Sequence, residues 1–197
     1  MTFRSLALFC GSSMGKDKRY AQVAHEFGTR CAEEQVTLYY GGGCVGLMGV
    51  AADAALAKGG KVIGIAPDFF AKGTILSLSI TELILVKTMS ERKQQLESLA
   101  DAFVVLPGSL GTMDEFFEVL TNTQLGLHQK PVVLLNAYGY YDGLLSQIAR
   151  FRDEGFLHPA HHDLLLTAAS VEELFSLLHH LKKGSFCSIY DKKNTAL

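Results

Sequence analysis

The chain has no long Lys/Arg run and a formal net charge of only -2. It therefore lacks the electrostatic footprint that non-specific nucleic-acid binding needs, and no polynucleotide partner is expected. Long hydrophobic runs are missing too. The apolar stretch at residues 6–10 is too short for the apolar region of a signal peptide or for a membrane span, so neither export nor a membrane partner is expected. Cysteine is scarce, and Cys10, Cys31, Cys44 and Cys187 show none of the close paired spacings of a zinc site or a redox motif. They read as reduced thiols of a cytoplasmic protein. Cys10 and Cys44 adjoin glycine loops, where a nucleophile is one reading and a small buried residue the better one. Internal repeats, low-complexity stretches and Pro/Gly/Ser-rich linkers are also absent, so residues 1–183 are expected to form a single α/β domain and residues 184–197 a flexible polar tail.

What is present is the balance of an ordinary globular protein: 48% hydrophobic and 19% charged residues in a chain of 197, enough for one well-filled core. Short β-rich apolar runs alternate with longer stretches of helical periodicity. Strands are expected at residues 6–10, 37–40, 62–66, 83–86, 103–106, 132–135 and 164–167, and helices at about 18–34, 47–58, 91–100, 113–125, 141–154 and 171–181. This alternation predicts a Rossmann-like, doubly wound α/β fold, with a mostly parallel sheet of about seven strands and helices on both faces. Residues 68–79 form the one sizeable irregular segment, a candidate flap over a site.

Three glycine loops follow predicted strands: Cys10-Gly11-Ser12-Ser13, Gly41-Gly42-Gly43-Cys44-Val45-Gly46, and Pro107-Gly108-Ser109-Leu110-Gly111-Thr112. In open α/β sheets, ligands bind beyond the C-terminal ends of the strands, where glycine lets backbone N–H groups approach a phosphate. One such loop would be explained by a tight turn alone. Three at one edge of a sheet point to an anion site. The second loop formally satisfies G-x-G-x-x-G, with Asp68 standing 22 residues after Gly46, which keeps a dinucleotide-dependent oxidoreductase in view. Against it, the fingerprint follows the second strand rather than the first. The run from Gly11 to Asp17 is one residue short of a Walker loop and lacks its Ser/Thr.

Thr112-Met113-Asp114-Glu115 could be a capping box, in which Glu115 merely bonds back to the helix N-terminus. Arg92 falls in the first turn of a predicted helix, where a positive charge opposes the macrodipole, so a ligand is a better reason for it than stability. The longer segment Pro107-Gly108-Ser109-Leu110-Gly111-Thr112-Met113-Asp114-Glu115 resembles the P-G-G-x-G-T-x-x-E motif of the Lonely Guy (LOG) family, cytokinin riboside 5′-monophosphate phosphoribohydrolases whose members were long labelled lysine decarboxylases. Phe9 to Ser13, Tyr40 to Gly49, Met89 to Lys93, Gln124 to Pro131 and Gly139 to Asp142 also resemble family segments, in order, over roughly residues 5–160. Nothing in the sequence calls for pyridoxal phosphate.

The resemblance implies a homodimer that hydrolyses the N-glycosidic bond of an adenosine 5′-monophosphate, N6-modified or plain, releasing the base and ribose 5-phosphate. It gives Arg92 and Glu115 the catalytic positions, and Gly108, Gly111 and Thr112 the phosphoribose-binding loop. The expected substrate-binding set is Ser13, Gly42, Gly43, Met89, Arg92, Lys93, Gly108, Ser109, Leu110, Gly111, Thr112 and Glu115. Ser109 stands where the motif has its second glycine, which would cost conformational energy if that backbone needs positive φ. Ser90 stands where relatives often carry His. A carboxylate such as Glu115 suits the chemistry, because cleavage develops positive charge on the ribose ring. Arg92 would neutralise phosphate or orient Glu115, and the phosphate serves as a handle rather than a reacting group.

Such a mechanism needs neither a metal nor a redox cofactor, and none is expected. The strongest metal candidate, His158-Pro159-Ala160-His161-His162-Asp163, is explained by a polar loop before a strand. Met48, Met113, Phe116, Phe117 and Leu120 are read as core or subunit contacts, whereas Met89 is near enough to Arg92 to touch a base. The competing readings are a non-catalytic nucleotide or cofactor carrier and the oxidoreductase. Site residues, not fold, separate them.

Overall fold

The structure, a computed structural model, describes residues 3–72 and 76–181. The strands are β1 (Ser5–Phe9), β2 (Thr37–Tyr40), β3 (Val62–Pro67), β4 (Glu82–Val86), β5 (Ala102–Val105), β6 (Val132–Leu135) and β7 (Leu165–Ala168). Between and after them come α1 (Arg19–Glu33), α2 (Gly46–Ala57), α3 (Met89–Leu99), α4 (Leu110–Gln124), α5 (Asp142–Asp153) and α6 (Val171–His180). Each expected strand and helix is present. Cys187 and the expected tail lie outside the described residues.

The seven strands form one parallel sheet in the order β4-β3-β2-β1-β5-β6-β7. The chain winds outward from β1 through β4, then returns to place β5 on the other side of β1, with Leu8 opposite Val104 and Phe9 opposite Val105. That reversal separates the loops after β1 and β5 and opens a crevice at the C-terminal edge, where this class of sheet binds ligands.

Alternation along the strands splits the core into two layers. Leu6, Leu8, Val104, Leu106, Val133 and Leu135 pack with α1, α2 and α6. Ala7, Phe9, Phe103, Val105, Val132 and Leu134 pack with α3 and α4, and with residues of α5. Side chains of successive strand residues point to opposite faces, so a strand covered on both faces must be apolar throughout. The central strands are: β1, β3, β5 and β6 are buried at every position. α1 buries Val23, Ala24, Phe27, Gly28 and Cys31 along one stripe.

The expected flap is partly ordered by backbone. A short 3-10 helix occupies Asp68–Lys72, and Leu76 then forms an antiparallel bridge with Gly43. The N–H of Ser77 donates to the Gly42 carbonyl at 2.9 Å. This segment is therefore pinned to the loop after β2.

The closest helix approach is sequence-encoded at Gly28, where a Cβ would collide with the Ala51 carbonyl oxygen of α2. Both partners are backbone, so neither can swing away. Gly28→Ala is expected to destabilise the fold by ~1–3 kcal/mol, the usual cost of overpacking. Urea unfolding checks it: an unchanged midpoint would mean that α1 and α2 can separate freely.

Candidate active site

A cleft of about 380 Å³ opens at the switch between β1 and β5. The loop after β1 supplies Cys10, Gly11 and Ser12, and the loop after β2 supplies Gly41 and Gly43, with Met48 one turn into α2. Phe70 and Leu76 come from the flap, and Met89 and Arg92 from the start of α3. The β5–α4 segment completes it with Ser109, Gly111, Thr112, Asp114 and Glu115.

Arg92 and Glu115 meet on its floor. Arg92 Nη1 lies 2.7 Å from Glu115 Oε1, and the residues are only 9% and 8% exposed. Arg92 Nε donates to the Ile65 carbonyl of β3 at 3.1 Å. The guanidinium lies so close to Gly41 that a Cβ there would overlap Arg92 Nη2. Three elements thus fix the arginine: β3 through a carbonyl, the loop after β2 through a missing side chain, and α4 through the ion pair. Desolvation pushes the Glu115 carboxyl above its ordinary value, and Arg92 opposes that shift. The result is a carboxylate more basic than one in water.

The capping-box reading of Thr112 to Glu115 does not hold. α4 begins at Leu110, with Ser109 as its N-cap, so Glu115 sits more than a turn inside and turns to Arg92. Capping by side chains does occur on α3 and α6, where Thr88 Oγ1 accepts from Glu91 N and Ser170 Oγ from Glu173 N. At α4 it is withheld: Ser109 makes no capping bond, and the amides of Ser109, Leu110, Gly111 and Thr112 have no backbone acceptor among the described residues. Unpaired amides at the positive end of a helix dipole form an anion site. Ser109 occupies its position at φ -121°, ordinary for any L-residue. Serine in place of the motif glycine therefore carries no left-handed strain.

The expected binding set divides. Met89, Arg92, Ser109, Gly111, Thr112, Glu115 and Gly43 line the cleft. Ser13 and Gly108 line an adjoining hollow of about 350 Å³, which shares Gly11, Ser12 and Ser109 with the cleft. Gly42 is turned to the sheet, its α-carbon facing Ala66 and Leu83. Leu110 is 88% exposed on the outer side of α4. Lys93 ion-pairs with Asp114 and Glu118, tying α3 to α4 beside the buried Arg92–Glu115 pair rather than lining the cleft. Met48 lines the cleft instead of serving only as core, because the first turn of α2 runs along its wall. Phe70 and Leu76 were foreshadowed only by the flap, and Gly41 only by its glycine run.

Cys10 is buried as expected and is not a nucleophile in waiting, whereas Cys44 is exposed rather than buried. Burial, aided by the Glu115 charge, pushes the Cys10 thiol up and keeps it protonated. The histidine segment is locally engaged: His158 Nδ1 accepts from Ala160 N and His162 Nε2 contacts the Leu157 carbonyl. Among the described residues no group of three or more His, Cys, Asp or Glu side chains could hold a metal ion, and no helix is long and apolar enough to cross a membrane.

Fold and site together define a doubly wound α/β protein with a cleft at its switch point, an uncapped helix start on its wall and a buried Arg–Glu pair beside it. A family model described as possible lysine decarboxylase matches residues 48–178. The chain is 43% identical over 176 residues to cytokinin riboside 5′-monophosphate phosphoribohydrolase LOG2 of Arabidopsis thaliana, covering 89% of this chain and 83% of the relative. It is 44% identical over 172 residues to the cytokinin riboside 5′-monophosphate phosphoribohydrolase of Rhodococcoides fascians, covering 87% of each. The fold is similar to the molybdenum cofactor binding protein of Rippkaea orientalis, with a TM-score of 0.69 and 24% identity over 91% of this chain and 97% of that one. The chain belongs to the Lonely Guy family.

Because the folded state holds Glu115 above its unfolded value, ionising it opposes folding. The stability this group contributes is fully present below the ordinary value of 4.5 and is lost as pH rises through the raised folded value. Thermal melts from pH 4 to 8 should therefore show Glu115→Gln gaining on the parent as pH rises. Parallel curves would mean that Arg92 fully offsets the desolvation.

Proposed function

We propose that this chain hydrolyses the N-glycosidic bond of adenosine 5′-monophosphates, N6-modified ones included, releasing the free base and ribose 5-phosphate. The observation that carries the reading is the buried Arg92–Glu115 pair in the same cleft as the uncapped start of α4. One feature binds an anion and the other stabilises a cation, and a nucleoside monophosphate undergoing base loss presents both.

The 5′-phosphate accepts from the amides of residues 109–112 and from the Ser12 and Ser109 hydroxyls, and this remote binding energy holds the sugar over Glu115. As the bond from C1′ to the base nitrogen lengthens, its electron pair leaves with the base and the ribose ring becomes oxocarbenium-like. The Glu115 carboxylate stabilises that charge and takes a proton from the water that adds to C1′. Arg92 keeps Glu115 ionised and oriented. Met48, Phe70, Leu76 and Met89 give the cleft an apolar portion suited to the base and a hydrocarbon substituent on N6.

A pyridoxal enzyme would need a Schiff-base lysine, and among the described residues no lysine lines this cleft. A dinucleotide enzyme of the G-x-G-x-x-G type would need an open helix N-terminus after the second loop. There one first-turn amide, that of Leu47, is already taken by the Gly11 carbonyl at 3.0 Å, although α2, like α4, carries no side-chain cap.

We further propose a cytoplasmic homodimer joined through α4 and α5. Phe117, Leu120, Ile148, Phe151 and Phe156 line an apolar groove of about 550 Å³, and Phe156 is 86% exposed. A second groove along α4 shares Phe117 and runs to Asp114, a residue of the cleft. A patch of this kind marks an association surface.

The purified protein should release base from AMP or isopentenyladenosine monophosphate but not from the dephosphorylated nucleosides, followed by chromatography of base and ribose 5-phosphate. Glu115→Gln should lower kcat by about 10³-fold, within the range of acid–base groups. A folded protein that binds these monophosphates without releasing base would instead be a carrier. Sedimentation should give a dimer that Phe156→Asp shifts toward monomer. A wild-type monomer at micromolar concentration would remove the dimer.

A further inference from the structure

The segment Gly139-Tyr140-Tyr141-Asp142 lines neither the catalytic cleft nor its floor, yet both tyrosine hydroxyls reach the loop after β5. Tyr141 Oη donates to the Leu106 carbonyl at 2.7 Å, and Tyr140 Oη donates to the Gly108 carbonyl at 2.6 Å. The carbonyl between them, that of Pro107, accepts from Gly11 N at 3.0 Å. Three successive carbonyls of one short loop are thus each held by a donor from outside it.

A trans peptide unit carries its C=O and its N–H on opposite sides. Fixing the Pro107 carbonyl therefore fixes the Gly108 N–H, and fixing the Gly108 carbonyl fixes the Ser109 N–H. The Gly108 N–H faces the Tyr141 hydroxyl, and the Ser109 N–H is among the amides left without a backbone acceptor. We propose that Tyr140 is a positioning residue for the phosphate, holding the β5–α4 loop so that its free amides converge on the anion, while Tyr141, whose acceptor carbonyl belongs to a peptide unit closed by a proline nitrogen, anchors the loop without aiming an N–H. The proposal rests on the phosphate-anchored reading of the cleft given above.

The connection that delivers the tyrosines is itself built for aim. Asn136 Oδ1 accepts from Tyr141 N and Asn136 Nδ2 donates to Asp142 Oδ1, both at 2.7 Å. Tyr138 is held at φ 56°, in the left-handed region that a bulky residue avoids. Its ring lies under the Arg19 guanidinium, 4.1 Å from ring centroid to carbon. The Tyr141 hydroxyl, pushed up by burial, stays a donor at every physiological pH.

The two hydroxyls differ in surroundings, which separates positioning from general stability. Tyr140 is 41% exposed, so Tyr140→Phe removes one donor with little packing change, while Tyr141→Phe acts on a buried one. Titration calorimetry with ribose 5-phosphate should give a Kd raised about three- to tenfold in Tyr140→Phe, the loss of one ordinary hydrogen bond, with adenine binding unchanged. With AMP as substrate the same variant should raise KM by that factor and leave kcat within about twofold. A ribose 5-phosphate Kd unchanged in Tyr140→Phe would overturn the proposal. So would a loss that extends equally to adenine and follows the fall in Tm. Failure of the hydrolase reading looks different: the wild type would release no base, while ribose 5-phosphate binding would still respond to Tyr140.

Discussion

Two opposite charges withdrawn from water must find one another, and much of this site follows from that requirement at Arg92 and Glu115. Desolvating either ion alone would cost several kcal/mol, which their mutual attraction offsets only with good geometry and with further hydrogen-bond partners. The structure supplies both. The Ile65 carbonyl takes Nε, Gly41 clears the space beside Nη2, and Lys93 joins α3 to α4 through Asp114 and Glu118. Lys93 adjoins Arg92 in sequence, and Asp114 adjoins Glu115. A second set of ion pairs nearer the surface therefore holds the same two helices that the buried pair joins.

The pair is neutral as a whole, which leaves the field at the cleft to the backbone. α3 and α6 spend Ser/Thr side chains on their first-turn amides, while α4 leaves its own open. An isolated helix would gain about 1 kcal/mol from such a cap, and α1, α2 and α5 also go without one, but of these uncapped starts it is that of α4 which adjoins the buried pair in the cleft. The Ser12 and Ser109 hydroxyls border the same opening. The two ends of the cleft therefore differ in origin, one made of main chain and the other of a charged side chain.

The fold was legible in the sequence because its determinants are local. The strands are short, largely apolar runs, three of them followed by glycine loops, and helices such as α1 and α6 carry an apolar stripe with a period near 3.6, so alternation alone predicted the doubly wound sheet. Arg92 was legible as a cation in a first helical turn, whereas Glu115 fitted a capping box equally well and was singled out by the resemblance of residues 107–115 to the family motif. What stayed hidden needed three dimensions. Met48 reads as one more apolar residue of α2 until the helix is laid along the cleft, and Lys93 reads as a ligand until Asp114 and Glu118 are seen across from it. The tyrosine hydroxyls could not be assigned at all, because their partners are carbonyls more than thirty residues away in the chain.

The flap shows how such a site can keep its chemistry while changing its substrate. Its attachment to the loop after β2 is made by backbone, through the Gly43–Leu76 bridge and the Ser77 amide on the Gly42 carbonyl. Those bonds do not depend on side-chain identity, whereas the surfaces offered to the cleft, Phe70 and Leu76, are side chains. Substitution there alters the shape and polarity of the apolar wall without loosening the segment that carries it. The buried pair is constrained in the opposite way. Replacing Arg92, Glu115 or Gly41 strands a charge or displaces one, so that end of the cleft tolerates little change while the apolar wall is free to vary.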